Sequence, residues 1–197
     1  MDISTEMVKE LRTRTGAGVL DSKKALQDTA GNMERAATLL REKGLARAAK
    51  KADREAKEGL IEAYTHAGGR VAVMVEVNCE TDFVARTPDF KALAHDLALQ
   101  VAATDPRYVQ AADVPAEVLE AERNAYRALM ADEKKPAHVM DKIIEGKLKK
   151  FYEEKCLLSQ PFIKDPNLTV ADLIKQAIAK LGENIQVRRF VRYKLGE

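Results

Sequence analysis

Apolar side chains recur at helical spacing through residues 1–43. Ile3, Met7 and Leu11 repeat every four positions, Leu26 follows in a second segment, and Met33, Ala36, Ala37 and Leu40 line a third. The TGAG stretch at 15–18 and the Gly31-Asn32 pair interrupt this pattern, with Asn32 placed to cap the third segment. The pattern predicts three short helices around a small core. Residues 44–58, GLARAAKKADREAKE, are alanine-rich and charged with no broad apolar stripe, which predicts a solvated helical linker.

Beyond residue 58 the period changes. LIEAYTHAGGRVAVMVEVNCE predicts a strand, a turn at Gly68-Gly69, and a second strand with Val71, Val73, Val75 and Val77 on one face. Thr87-Pro88 is a helix start, a capping hydroxyl followed by proline at the first helical position, and Phe90, Leu93, Leu97 and Val101 supply that helix's buried side. Pro115 opens a long charged helix. KKPAHV at 134–139 turns it into another that carries Met140, Ile144, Leu148 and Phe151, so the pair predicts a helical hairpin near 113–157. Those four residues are expected to pack within the hairpin, a dimer seam being the alternative. Thr169 with Asp172 forms a capping-box pattern for a last helix through Leu181. In the final NIQVRRFVRYKLG, Ile185, Val187, Val191, Tyr193 and Leu195 share one parity, while Arg189 breaks it and Phe190 takes the other face, the mark of a bulge.

The expected fold is therefore α+β. A three-helix module with its linker occupies 1–54, and a core domain occupies 55–197. In that core a small antiparallel sheet, with strands near 59–66, 71–78 and 185–194, is covered by helices and carries the hairpin as an insertion.

Composition changes this picture little. The 197 residues are 46% hydrophobic, enough for a core, and no run is long enough in apolar residues to span a membrane. The start MDISTEMVKELRTRTG has no apolar signal region, which points to the cytoplasm. A net charge of +2 does not call for a nucleic acid, and 5% aromatics without tryptophan argue against a base-stacking platform.

Candidate chemistry is sparse. His66, His95 and His138 show no metal spacing, and there is no P-loop, no G-x-G-x-x-G and no nucleophile elbow. Cys79 lies beside Glu80 and Asp82, whose charge would raise rather than lower its pKa, so a structural cysteine is expected there. These patterns describe a protein that acts by contact, without bond chemistry and without a cofactor or metal. Periodicity by itself makes Phe83, at the corner where the second strand ends, a core residue.

Four stretches carry a resemblance. VKELRTRTGAGVLDSKKAL (8–26) and VEVNCETDFVARTPDF (75–90) resemble the two signature segments of bacterial translation elongation factor Ts. KIIEGKLKKFYEEKCLLSQPFIKD (142–165) and LGENIQVRRFVRY (181–193) are similar to later segments of that family, in the family's order. The resemblance implies a ubiquitin-associated-like N-terminal module and a guanine nucleotide exchange factor that promotes GDP release from elongation factor Tu. Longer members have two related core subdomains. Here YTHAGGR (64–70), similar to a second-subdomain segment, runs directly into the first-subdomain VEVNCETDF, as in short forms that work as homodimers.

Carried over by position, Arg12, Val19, Leu20 and Lys23 would touch the nucleotide-binding domain of elongation factor Tu. The family more often has methionines where this chain has Val19-Leu20, a conservative apolar change. Thr81, Asp82 and Phe83 would meet the same domain, Asp82 and Phe83 wedging between its helices, with Leu181 and Gly182 beside them. His66 would reach another domain of the partner from the second protomer. No direct nucleic-acid or membrane partner is implied. On the residues without the resemblance, Arg12 and Lys23 read as a solvated helix face and His66 as a turn residue. Two other functions then stay open: an RNA- or ribosome-associated protein using the basic tract 47–57 and RRFVRYK, and an adaptor using the N-terminal module. No cysteine lies in the last strand, so a disulfide across a symmetric seam there is excluded, while pairing elsewhere is open.

Overall fold

Ser4 starts the first helix as expected of a short hydroxyl at an N-cap: its side chain accepts from Met7 N, and α1 runs Thr5–Thr15. Gly16 stops it at φ 68°, a left-handed conformation that suits glycine, with its N–H bonded to Arg12 O. Helix α2 spans Val19–Asp28, and α3 spans Met33–Ala49 with the Asn32 side chain accepting from Arg35 N. Val8, Leu11, Ala25, Leu26, Ala36 and Leu40 form the buried core of these helices, and Ile3, Met7, Met33 and Ala37 pack half-buried against it. The computed structural model describes residues 3–130 and 136–197.

The expected linker differs from the observed one. Helix α3 takes up residues 44–49, and residues 50–57 form turns and irregular backbone. Ala48 is buried, and a Cβ on Gly44 would come within 2.9 Å of the Ala179 Cβ. Small side chains here serve close packing, a role that amphipathic periodicity does not register.

Strands β1 (Glu58–Thr65), β2 (Val71–Cys79) and β5 (Ile185–Lys194) form an antiparallel sheet in the order β1-β2-β5. Short strands β3 (Pro161–Phe162) and β4 (Asp165–Thr169) pair separately. The one-turn helix α4 (Asp82–Ala85) follows β2, and α5 (Pro88–Thr104) begins where the Thr87 hydroxyl accepts from Phe90 N. Helices α6 (Ala116–Leu129) and α7 (Ala137–Lys155) are the hairpin, and α8 (Val170–Leu181) precedes β5. Within the hairpin Met130, Ile144 and Leu148 pack with Met140, and Phe151 packs with Val114 and Cys156. Of the turn expected at 134–139, Lys134 and Lys135 lie outside the described residues. The Thr169–Asp172 capping box is present: Asp172 N donates to the Thr169 hydroxyl, and Thr169 N donates back to the Asp172 carboxylate.

The fold is α+β, as the sequence predicts. By contacts the chain forms two compact units. One comprises Met1–Leu60, Asn78–Leu93 and Ile174–Gln186, the other Ile61–Val77, Ala94–Leu173 and Val187–Glu197.

In the second unit Val73, Val75 and Val77 are buried, as their alternation predicts. The last strand departs from its predicted parity. Ile185 and Val187 are buried, Arg188 and Arg189 are both exposed, and Phe190 and Arg192 then take the inward positions. Arg192 makes three polar contacts, donating to Ala102 O and pairing with Asp105 at 3.3 Å and with Glu197 at 3.4 Å. Val191, Tyr193 and Leu195 therefore point outward, not to the side of Ile185 and Val187. Ile61 and Met74 are exposed on their own strands, and Arg189 meets Glu76 at 2.7 Å. No helix among the described residues is long and apolar enough to cross a membrane.

Candidate functional site

The first compact unit holds nine of the ten residues carried over from the resemblance, with His66 in the second. The decisive one is Phe83. Thr81 caps α4 by accepting from Val84 N, and the single turn that follows buries Ala85. Residues two apart on a helix face nearly opposite ways, so Phe83 points away from Ala85 and is 79% exposed. The corner thus presents this ring to solvent, against the reading from periodicity. The Asp82 carboxylate pairs with Arg86 at 2.7 Å, one turn along.

The segment before α4 is tied to the segment after α8. The Glu183 carboxylate accepts from Glu80 N (3.1 Å), Thr81 N (2.9 Å) and the Thr81 hydroxyl (2.6 Å). In the reverse direction Asn184 N donates to the Glu80 carboxylate at 2.7 Å. That bond, more than the nearby Arg54, holds Glu80 below the usual carboxylate range. The buried Asn184 amide donates to Ala52 O and Arg54 O. Leu181 is half-buried. Gly182 ends α8 at φ 81° with its N–H on Ile178 O, and Lys51 donates to its carbonyl. Sequence reasoning places Leu181 and Gly182 beside Phe83 but passes over Glu183, Glu80 and Asn184. Their bonds are to backbone more than a hundred residues away, which no local pattern encodes.

Helix α2 starts after Gly18 with no side-chain cap and exposes its first two residues, Val19 at 52% and Leu20 at 83%. Arg12 and Lys23 are exposed on α1 and α2. Arg47 on α3 binds both carboxylate oxygens of Asp21 and so lowers its pKa, and Arg14 pairs with Glu34 at 2.7 Å. These pairs line a cavity of about 460 Å³ beside the 15–18 loop. Lys180, also at its wall, passes close to Gly16 and donates to Asp89.

In the other unit His66 is exposed, with its Nδ1 3.0 Å from the Tyr64 hydroxyl. Tyr64 also meets the ring of His95 edge-on, and His95 Nδ1 lies 2.9 Å from Glu62.

No group of three or more His, Cys, Asp or Glu among the described residues could hold a metal. Cys79 and Cys156 are both free and buried. Both thiols are pushed up to about 11, chiefly by burial, so neither is a nucleophile near neutral pH. The carboxylates that add to the effect at Cys79 are Glu183 and, more weakly, Glu58, not the adjacent Glu80 or Asp82.

The model of the family described as elongation factor TS matches residues 4–197. Curated proteins named elongation factor Ts align along nearly the whole chain. That of Carboxydothermus hydrogenoformans is 59% identical over 195 residues, covering 99% of this chain and 90% of its own length. That of Fervidobacterium nodosum is 57% identical over 197 residues and covers both chains completely. The Herpetosiphon aurantiacus protein is 58% identical over 196 residues, 100% of this chain and 99% of its own. A family match of this length, joined to relatives aligned along at least 90% of both chains, leads to one conclusion: the chain belongs to the elongation factor Ts family.

Proposed function

We propose that this chain is a guanine nucleotide exchange factor that speeds GDP release from elongation factor Tu by seating Phe83 between helices of the partner's nucleotide-binding domain. The observation that carries the reading is the Phe83 ring, exposed at the tip of a one-turn helix. Asp82 enters with it, Thr81 sets the turn, and Leu181 and Gly182 flank it. Val19 and Leu20 offer an apolar contact to the same domain, bordered by Arg12 and Lys23. His66 serves a different domain.

The physics requires no chemistry on the nucleotide. A ring driven between packed helices forces them into another discrete arrangement, because close-packed elements do not deform continuously. Displacing the elements around the magnesium and phosphate site weakens GDP, and by reciprocity GDP weakens the complex. Full burial of a phenylalanine supplies about 2 to 3 kcal/mol, enough to bias such an equilibrium more than tenfold.

The protein works as a homodimer in this reading, a second copy covering the outward face of the three-stranded sheet. Exposed Ile61, Met74, Val191, Tyr193 and Leu195 support that placement, as does the charge pair Arg189–Glu76 beside them. Residues 1–54 act as a docking module and 55–197 as the exchange and dimerisation domain, in the cytoplasm, without nucleic acid or cofactor.

The test is release of a fluorescent GDP analogue from elongation factor Tu under catalytic amounts of this protein. Phe83→Ala is expected to slow release roughly tenfold or more, given the apolar transfer removed, and to leave the circular dichroism unchanged. Release at the wild-type rate would overturn the wedge.

A further inference from the structure

We infer that Glu183 is a positioning residue for Phe83, and that its bonds with segment 80–81, returned by Glu80 to Asn184, preset the surface that carries out exchange. This rests on the exchange function proposed above.

Helix α4 is weak by itself. A helix of four residues cannot maintain itself in water, since a helix nucleus costs more than its first bonds return. Free in solution, an exposed phenylalanine on such a turn would lie down on the nearest apolar surface. Something outside α4 must hold it upright. The Glu183 carboxylate spends its acceptor capacity on that task, with three donors from two consecutive residues, Glu80 N, Thr81 N and the Thr81 hydroxyl. By accepting the Thr81 proton it also turns a lone pair of that hydroxyl toward Val84 N, the capping bond of α4. One carboxylate therefore fixes both the entry backbone and the cap.

The second half of the device runs the other way. Glu80 accepts from Asn184 N, and Asn184, buried, is anchored on Ala52 O and Arg54 O. Segments 80–81 and 183–184 thus exchange bonds in both directions. A shift of Gly182 and a shift of Phe83 become one event. Charge-assisted bonds of this kind are stronger than neutral ones, and a preset anchor does not have to be ordered when the partner binds.

The test combines exchange kinetics with amide hydrogen exchange, using the full chain. Glu183→Ala is expected to slow GDP release about tenfold, the loss that accompanies removal of a charge-assisted hydrogen bond. Glu183→Gln keeps an acceptor for the two amides and is expected to fall between that variant and wild type. Adding Glu183→Ala to Phe83→Ala should slow release no further than Phe83→Ala does, because a residue acting through the ring has nothing left to act on. Independently of activity, Glu183→Ala should strip protection from the amides of Glu80, Thr81 and Val84 while those of α1 to α3 keep theirs. Losses that multiply in the double variant, with an active wild type, would overturn the role of Glu183 and leave the exchange function standing. Unchanged amide protection would do the same. A wild-type chain without effect on GDP release would overturn both.

Discussion

Phe83 stays in water because of its place on a single turn. Ala85 takes the inward side of α4, and the opposite side, which carries Phe83, is exposed. Average hydrophobicity argues for burial of a phenylalanine, and only the cap and the direction of the turn reverse that. The two cysteines behave in the opposite way, hidden and inert. With folded thiols near 11 against an ordinary value of 9.0, the native state holds its thiol protons where the unfolded chain has lost them. The contribution to stability is therefore complete below about pH 9 and is lost as pH rises toward 11. Urea midpoints measured from pH 8 to pH 11 are expected to fall across that window. Replacing both cysteines with alanine should flatten the fall, and an equally steep fall in that variant would refute the assignment. At this scale the sequence correctly predicts a raised thiol at Cys79. It credits the wrong carboxylates, because Glu183 reaches the thiol through the fold.

At the scale of elements, α5 shows what periodicity misses. Phe90, Leu93, Leu97 and Val101 are all buried, as their spacing predicts, yet Gln100 is fully buried on the same helix. Its amide donates to Gln160 Oε1 and Pro161 O and accepts from Ile163 N. Gln160, itself buried, donates to Glu154 O. A glutamine reads as a surface residue unless its partners, sixty positions away, are known. Gln100→Leu removes one side of this network and leaves Ile163 N without its acceptor, while Gln160 keeps Thr104 and Glu154. The expected cost is about 1 to 3 kcal/mol, measurable as a lower chemical midpoint with an unchanged m-value. A variant as stable as wild type would show that the network contributes nothing net. Strand β5 teaches the same lesson through register. Its odd positions read as one face, but two consecutive exposed arginines move the inward set from Ile185 and Val187 to Phe190 and Arg192.

For the whole molecule, that register shift matters most. It leaves Val191, Tyr193 (70% exposed) and Leu195 in water, beside a strand that exposes Met74 and one strand further from Ile61. Exposed apolar groups gathered on one sheet face mark an interaction surface. With a second copy over that face, a chain of 21.9 kDa should sediment at about twice its mass in micromolar solution. Val191→Asp places an unpaired charge in the seam and should return the protein to monomers while the three-helix core stays folded. A wild-type monomer at that concentration would overturn the dimer.

The sequence by itself determined the local facts: the Asn32 and Thr87 caps, the Thr169–Asp172 box, the glycine stops at 16 and 182, the buried valines of β2 and the α+β class. The caps, the box and the stops depend on residues within four or five positions of one another, where backbone geometry leaves few choices, and the strand and the class follow from hydrophobic periods along the chain. Tertiary structure alone decided that Glu183 holds the loop of Phe83, that Gln100 is interior, that Ala48 and Gly44 belong to a packed helix, and which face of β5 meets water. These depend on hydrogen bonds and packing between distant segments, and a buried polar group declares its partner only when the chain has brought the two together.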